Sequence, residues 1–200
     1  MTPHLTLVDV ACRRGGTLLF HGVSLALSAG DAVVVAGPNG CGKSSLLRMI
    51  AGLLPPFAGQ ISREGRVALL GENSALDGDR RLGAALRLWA TLDGRADSLP
   101  RVADAMIEVG LDALEDVPVR LLSTGQRRRA AMARVIATNA DIWLLDEPAT
   151  GLDAASTHAL QRAMARQRAA GGIIVVATHQ SLDLPGACMI DLLARQSADA

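Results

Sequence analysis

The sequence predicts an α/β fold with a largely parallel sheet, because apolar strand-like runs alternate with helix-like stretches along most of its 200 residues. Ala32–Ala36 and Ile173–Ala177 are short, uninterrupted apolar runs rich in Val and Ile, which is typical of parallel strands buried on both faces. Residues 142–145 form a third such run. The stretch that follows this run, Ala154–Ala169, has the composition of a helix.

The N-terminal part predicts a separate antiparallel β layer. Residues 5–10 and 23–27 alternate between apolar and polar side chains, as strands with one buried face do. Gly15-Gly16 lies between these two segments and favours a turn. Residues 61–70 contain two further strand-like pieces, separated by Glu64-Gly65.

A helical stretch interrupts this pattern. Between residues 79 and 114, apolar side chains recur at helical spacing, with a break at Asp93-Gly94. Ser123 and Gln126 have the spacing of a capping box, which predicts that another helix starts at Ser123 and continues through Ala137. We therefore expect one domain over residues 1–200, with a helical subdomain inserted into the α/β core at roughly 79–139.

A phosphate-binding motif, or P-loop, follows the first apolar strand. The pattern G-x-x-x-x-G-K-S runs from Gly37 to Ser44, between a predicted strand and a predicted helix. Its glycines allow a tight loop whose N–H groups face an anion, and the helix N-terminus adds positive potential. We expect Lys43 to reach the nucleotide phosphates and Ser44 to hold Mg²⁺. The predicted nucleotide-binding residues here are Gly37, Pro38, Asn39, Gly40, Cys41, Gly42, Lys43, Ser44 and Ser45.

Lys43 argues against a glycine-rich turn that matches the motif by chance. It is the only lysine in the chain, and the other Lys/Arg positions are all arginine. A general preference for arginine does not explain this exception. A compact ammonium suits a narrow phosphate loop, whereas a planar guanidinium does not replace it there.

Acidic residues and a histidine follow the other two apolar strands. Asp146 is expected to hold Mg²⁺ through water, and Glu147 to act as general base for the attacking water. His179 comes two residues after Ile173–Ala177. An acidic strand end or a lone histidine also has ordinary structural explanations, so these assignments depend on the phosphate-binding motif.

Composition argues against several other functions. The formal net charge is zero, aromatic residues are scarce and tyrosine is absent, which disfavours direct nucleic-acid binding. We expect neither a membrane span nor a signal peptide, and therefore a soluble, cytosolic chain. Cys12, Cys41 and Cys188 are far apart and form no C-x-x-C motif, so neither a zinc site nor covalent haem attachment is expected. Cys41 has two interpretations, a small filler or an oxidation-sensitive thiol, and we favour the filler.

The motifs occur in the order found in ABC transporter ATPases, which the sequence resembles over nearly its whole length. Leu122-Ser123-Thr124-Gly125-Gln126 resembles the signature that distinguishes this family from other P-loop enzymes. The resemblance implies an ABC-type ATPase that binds ATP and Mg²⁺ and hydrolyses ATP. Two copies of the chain would enclose the nucleotide. The signature residues of one copy would contact the nucleotide held by the other: Ser123, Gly125 and Gln126. It also implies that His179 contacts the γ-phosphate and that Asp153 lies between the copies.

A finer resemblance is to the haem exporter ATPases of the cytochrome c maturation system. It rests on residues 70–76, 86–94 and 121–134 and on Thr178-His179-Gln180. It implies a peripheral subunit at the cytoplasmic face of the inner membrane. Integral-membrane subunits would be its partners, and its ATP hydrolysis would drive haem export or haem-chaperone release.

Three positions depart from the family pattern. The family's Q-loop glutamine falls near Glu72-Asn73, where Asn73 is the nearest chemical match and becomes a predicted metal ligand. The aromatic residue expected to stack on adenine is absent, and Arg13 or Arg14 could stack instead. Thr124 replaces a smaller signature residue.

Other interpretations remain open at this point. The chain could be a soluble ABC ATPase in an assembly scaffold, a subunit for a different exported cargo, or a P-loop kinase, although the signature argues against a kinase. Arg127-Arg128-Arg129 resembles a nucleic-acid patch, but we interpret it as a solvated or dimer-facing helix side because the net charge is zero.

Overall fold

The N-terminal strands form an antiparallel sheet, as the sequence predicts. The computed structural model describes residues 2–71, 73–92, 96–180 and 182–193. Within these ranges, β1 (His4–Arg14) lies between β2 (Thr17–Leu27) and β4 (Ala58–Glu64) and pairs antiparallel with both. The predicted turn at Gly15-Gly16 joins β1 to β2, and both glycines have positive φ.

The second sheet is parallel and has the order β5-β6-β7-β3-β8. Its strands are β3 (Ala32–Ala36), β5 (Val67–Leu70), β6 (Ile142–Asp146), β7 (Ile173–Ala177) and β8 (Cys188–Asp191). The largely parallel sheet is therefore confirmed. β8 was not predicted, because it is short, mostly exposed and defined by its long-range pairing with β3.

Five α-helices complete the fold within the described ranges. They are α1 (Lys43–Ile50), α2 (Leu82–Thr91), α3 (Ser98–Glu108), α4 (Thr124–Ala137) and α5 (Ala154–Ala169). Helices α2, α3 and α4 lie between β5 and β6 in sequence and pack on one another. The expected break at Asp93-Gly94 lies outside the described residues, and the subdomain boundary at 79–139 stays a prediction. No helix of the described chain is long and apolar enough to span a bilayer.

The capping box at the start of α4 is present. The Ser123 hydroxyl accepts a hydrogen bond from the Gln126 N–H at 3.2 Å, and the Gln126 side-chain oxygen accepts one from the Ser123 N–H at 2.8 Å. These two bonds satisfy N–H groups that the first helical turn leaves without partners. The predicted helix start is therefore confirmed.

Alternate residues of the parallel strands supply two separate apolar cores. Leu144 and Val175 belong to the core formed with α1 and the antiparallel sheet, whereas Leu145 and Val176 belong to the core formed with α2 to α5. Every residue of β6 and β7 is buried. This double burial explains why the sequences of β6 and β7 are apolar without alternation.

The contact between β1 and β4 yields a stability prediction that compares two glycines. Gly59 has a φ of +82°, and a Cβ there would lie 2.4 Å from the carbonyl oxygens of Val8 and Asp9. Gly15 has a φ of +54° with no other heavy atom within 4 Å of its Cβ position. Left-handed strain alone should lower the free energy of unfolding by about 1 kcal/mol in Gly15→Ala. The added backbone clash should bring the loss to about 3 kcal/mol in Gly59→Ala.

Urea unfolding of both variants tests this prediction. If the two variants lose the same free energy of unfolding, β1 and β4 move apart at Gly59 to accept the methyl group.

Candidate functional site

The glycine-rich loop, Asp146, Glu147 and His179 lie together at one edge of the parallel sheet. Strands β6, β7 and β3 are neighbours in that order, and their carboxyl ends continue into Asp146-Glu147, Thr178-His179 and the glycine-rich loop. Glu147 N donates to Ala177 O at 2.8 Å, and Thr178 N donates to Val35 O at 3.2 Å. The sheet therefore sets the spacing between the acid, the histidine and the loop.

The loop between β3 and α1 has a shape that needs glycine. Gly37, Gly40 and Gly42 have φ values of 145°, 84° and 108°. A Cβ would lie 2.6 Å from Cys41 Sγ at Gly37 and 2.8 Å from the Phe20 ring at Gly42. Added side chains would therefore collide with the loop's own packing, and the bare backbone forms a cradle suited to an anion.

This loop forms one wall of a cleft of about 380 Å³. The cleft is lined by Leu19, Asn39, Gly40, Gly42, Lys43, Ser44, Ser45, Asp146 and Glu147. Ser44 and the buried Asp146 both line it. Hydroxyl and carboxylate oxygens are hard ligands of the kind that Mg²⁺ takes in nucleotide sites, so this donor set fits the ion.

The ammonium of Lys43 lies inside the loop. Its side chain is 6% exposed, and Nζ donates to Gly37 O at 2.7 Å and to Pro38 O at 3.2 Å. The same nitrogen lies 3.8 Å from Glu147 Oε1. A compact ammonium satisfies these closely spaced acceptors, whereas a guanidinium would need more room.

Glu147 is held by the segment that follows β7. Its Oε1 lies 2.9 Å from His179 Nδ1, and its Oε2 accepts from Thr178 Oγ1 at 3.1 Å and from His179 N at 3.4 Å. Burial raises the pKa of Glu147, but the hydrogen bonds from His179 and Thr178 outweigh that effect and hold the pKa below its ordinary value. The carboxylate is therefore ionised at neutral pH and able to accept a proton.

The signature residues lie away from this cleft. Among the described residues that line it, none is Ser123, Gly125 or Gln126. A Cβ at Gly125 would be 3.4 Å from the Gly151 carbonyl oxygen, so the start of α4 packs closely on the segment before α5. Asp153 is the N-cap of α5, where its side chain accepts from Ser156 N at 2.7 Å.

Asn73 lines a neighbouring cleft rather than the phosphate cleft. It lies there with Thr124, Arg127 and Arg128, among others. Its role as a metal ligand stays a prediction, and Glu72 lies outside the described residues.

Two residues gained importance only with the structure. Thr178 is 4% exposed and contacts Glu147, a role that its place in the sequence did not predict. Its signal was a hydroxyl placed directly between an apolar strand and His179. For Arg128 the interpretation as a fully solvated side chain is wrong, because it is half-buried and donates to the carbonyl oxygens of Gly71 and Glu147, whereas the dimer-facing interpretation of Arg127-Arg128-Arg129 stays a prediction.

Two further sequence interpretations concern Arg13 and Cys41. The Arg13 guanidinium lies 4.3 Å from the centroid of the Phe57 ring, so this candidate for adenine stacking already has an aromatic partner. Arg14 is exposed. Cys41 is 3% exposed within the loop, where it fills space against Gly37.

Comparison with known proteins identifies the family. The model of the ABC transporter family matches residues 20–150. A cytochrome c biogenesis ATP-binding export protein CcmA from Sphingopyxis alaskensis is 54% identical over 188 residues, which cover 92% of this chain and 94% of that protein. A protein of the same name from Novosphingobium aromaticivorans is 51% identical over 180 residues, covering 90% of this chain and 91% of that protein.

Solved structures agree on the fold. An ABC transporter ATP-binding protein from Pyrococcus furiosus has a TM-score of 0.85 at 24% identity, covering 96% of this chain and 98% of that one. An ATP-binding subunit of an ABC transporter has a TM-score of 0.81 at 26% identity, with 88% of this chain and 79% of that chain covered. The motifs, the fold and the relatives together place this chain in the family of ABC transporter ATP-binding proteins, among the cytochrome c biogenesis ATP-binding export proteins.

Proposed function

We propose that the chain is the ATP-hydrolysing subunit of a membrane export complex in cytochrome c biogenesis. The observation that supports this proposal best is the convergence of Lys43, Glu147 and His179 at the carboxyl edge of one parallel sheet. An ammonium beside an ionised carboxylate that a histidine orients is the chemistry that hydrolysis of the phosphoanhydride bond of ATP needs.

Binding of ATP would use the glycine-rich loop and α1. The loop backbone and the N–H groups of the first turn of α1, which have no partners within the helix, would hold the phosphates. Lys43 would turn from its carbonyl partners toward them. Ser44 and Asp146 would hold Mg²⁺, which when bound neutralises phosphate charge and orients the transferred group.

Hydrolysis would depend on the position of Glu147. In this proposal its carboxylate orients a water molecule and accepts a proton from it. The hydrogen bonds from Thr178 and His179 restrict the carboxylate and keep it ionised, so that it is ready to act as a base. His179 is 48% exposed, which leaves part of its ring free to contact a phosphate.

The complete site would need a second copy of the chain. Ser123, Gly125 and Gln126 do not line the phosphate cleft of their own chain within the described residues, and Ser123 is exposed at the N-terminus of α4. A helix N-terminus with a hydroxyl is suited to an anion. The signature residues of one copy would therefore meet the γ-phosphate held by the other, with Asp153 at the contact.

The names of the relatives support the proposed process. The proteins from Sphingopyxis and Novosphingobium are named export proteins of cytochrome c biogenesis, and both match this chain over nine tenths of its length. We extend that role to this chain, as a peripheral subunit at the cytoplasmic face of the inner membrane. Integral-membrane subunits would be its partners, and the activity would drive haem export or haem-chaperone release.

A chromosomal Lys43→Ala variant tests the process. Cells carrying it should lose haem-stained c-type cytochromes, while an Arg48→Ala strain should keep them, because Arg48 is exposed on the same helix. If the Lys43→Ala strain has normal levels of c-type cytochromes, the ATPase serves a different cargo.

The purified Lys43→Ala protein should lose ATPase activity and keep its fold. Loss of a preorganised donor at the reacting phosphates lowers turnover by at least about 10²-fold. The two carbonyl hydrogen bonds of Lys43 should contribute about 3 kcal/mol of stability, at about 1.5 kcal/mol each. Phosphate release measures turnover, and urea unfolding measures stability. Wild-type turnover in the variant would show that Lys43 has no role in hydrolysis.

His179→Ala should slow hydrolysis by about 10²-fold, leave ATP binding nearly unchanged and alter the pH profile. In the wild type, hydrogen bonds lower the pKa of Glu147, so activity persists as the pH falls until that lowered pKa is reached. Removing the imidazole raises the pKa of Glu147, so the acid limb of kcat should move to higher pH. His158→Ala, an exposed histidine on α5, is the control. If the acid limb of the kcat–pH profile does not move, Glu147 is not the group that accepts the proton in the rate-limiting step.

Glu147→Gln should bind ATP and stop before hydrolysis. Loss of a general base lowers the rate by about 10²–10⁴-fold. The trapped ATP should hold two copies together, so light scattering should show a dimer with ATP and a monomer with ADP. Adding Ser123→Arg should abolish the dimer by filling the signature contact.

Glu64→Gln serves as the control for this variant, because Glu64 is an exposed acid at the end of β4. A Glu147→Gln protein that stays monomeric while binding ATP tightly would contradict the two-copy site. Normal turnover would contradict the role of Glu147 as base.

A further inference from the structure

Arg128 joins α4 to the ends of two neighbouring core strands. Its Nη1 donates to Gly71 O at 2.9 Å, and its Nη2 donates to the carbonyl oxygens of Asp146 and, at 2.5 Å, Glu147. Gly71 directly follows β5, and Asp146 is the last residue of β6. One side chain from the helix that begins at Thr124 therefore contacts both strand ends.

The strand register explains why these carbonyls converge. The β5–β6 ladder pairs Leu70 with Leu145 as its last pair, so Gly71 and Asp146 lie side by side just beyond it. Arg128 occupies the point at which this pairing ends. A guanidinium presents five N–H donors in a planar fork and can bond several separated carbonyls at once, whereas an ammonium is a compact point donor.

The backbone conformation at Glu147 sets the position of the carboxylate that the proposed reaction uses. Glu147 has a φ of 46°, in the left-handed region that residues with a side chain rarely adopt. Such a conformation persists only where surrounding contacts over-determine it. Three residues supply such contacts here: Arg128 on α4 bonds the carbonyl, Ala177 on β7 bonds the N–H, and His179, just after β7, bonds the carboxylate.

The two neighbouring arginines make different contacts. Arg127 donates to Leu122 O at 2.8 Å and to Arg120 O at 3.4 Å. Arg129 donates at 3.0 Å to Val109 O and to Gly110 O. These hydrogen bonds stay on the segments around α3 and α4. Among these three arginines, Arg128 is therefore the one whose described hydrogen bonds reach the core sheet.

We propose that Arg128 is a positioning residue that holds the left-handed turn at Glu147 and couples it to the helix carrying Ser123 and Gly125. The inference rests on the proposed function of Glu147. A shift of α4 relative to the sheet changes the direction of the Glu147 carbonyl bond and, through the backbone, the placement of the carboxylate. When Ser123 contacts a second copy, the resulting shift of α4 therefore changes the position of the Glu147 carboxylate in the same chain.

Arg128→Lys tests this inference because it keeps the positive charge and removes the fork. Hydrogen exchange of the segment 146–152 in the nucleotide-free protein should rise about tenfold, since a local restraint is lost. The kcat for ATP should fall by about tenfold to 10²-fold, with KM and Tm close to wild type, because the base is misplaced and binding is intact. Arg127→Lys should change none of these quantities.

Two results would overturn the inference. One is wild-type exchange at 146–152 together with wild-type kcat in Arg128→Lys. The other is faster exchange across the whole chain with a lowered Tm, which would make Arg128 a general stabilising residue. An inactive wild type would instead contradict the proposed function, and the exchange comparison would still decide whether Arg128 holds the turn.

Discussion

The parallel pairing of β6, β7 and β3 is the constraint on which the rest of the structure depends. Parallel strands end at the same edge, so the segments that follow these three strands are brought together although they are far apart in sequence. The bond from Glu147 N to Ala177 O extends this pairing by one residue into the site. Burial of both faces of β6 and β7 makes the arrangement rigid, because each strand packs against two apolar cores.

Electrostatics at this edge are organised around one carboxylate. Glu147 faces the Lys43 ammonium at 3.8 Å and the His179 ring at 2.9 Å, with the Thr178 hydroxyl on its other oxygen. Burial favours the neutral acid, but the hydrogen bonds from His179 and Thr178 favour the charged form and hold the pKa of Glu147 below its ordinary value. The site is thus prepared to accept a proton at neutral pH.

Helix α4 is attached to the core by two arginines of its own. Arg128 bonds the carbonyls at the ends of β5 and β6, and Arg134 donates to Leu69 O at 2.6 Å on β5. The Arg134 guanidinium also lies 4.8 Å from the centroid of the Trp89 ring on α2. Burial lowers the pKa of Arg134 to about 10, so it remains charged at neutral pH. The helices between β5 and β6 are therefore joined to the sheet through charged groups as well as apolar packing.

The sequence by itself determined the features that depend on neighbouring residues. The capping box of Ser123 and Gln126, the turn at Gly15-Gly16 and the buried strands Ala32–Ala36 and Ile173–Ala177 were predicted with their boundaries close to those observed. The glycine-rich motif also predicted the tight loop between β3 and α1, because positive φ values and a single lysine leave a local pattern. Family resemblance then supplied the signature and His179.

Only the tertiary structure decided which distant groups meet. Strand β8 exists through its pairing with β3, and Thr178 acquires its role from a carboxylate that follows a different strand. Arg128 resembled a solvated residue in sequence, yet its partners are backbone carbonyls beyond the ends of β5 and β6. Asn73, placed by its sequence position near the metal, lines another cleft. Backbone carbonyls are present at every residue, so no pattern of side chains reveals which of them a buried arginine will bond.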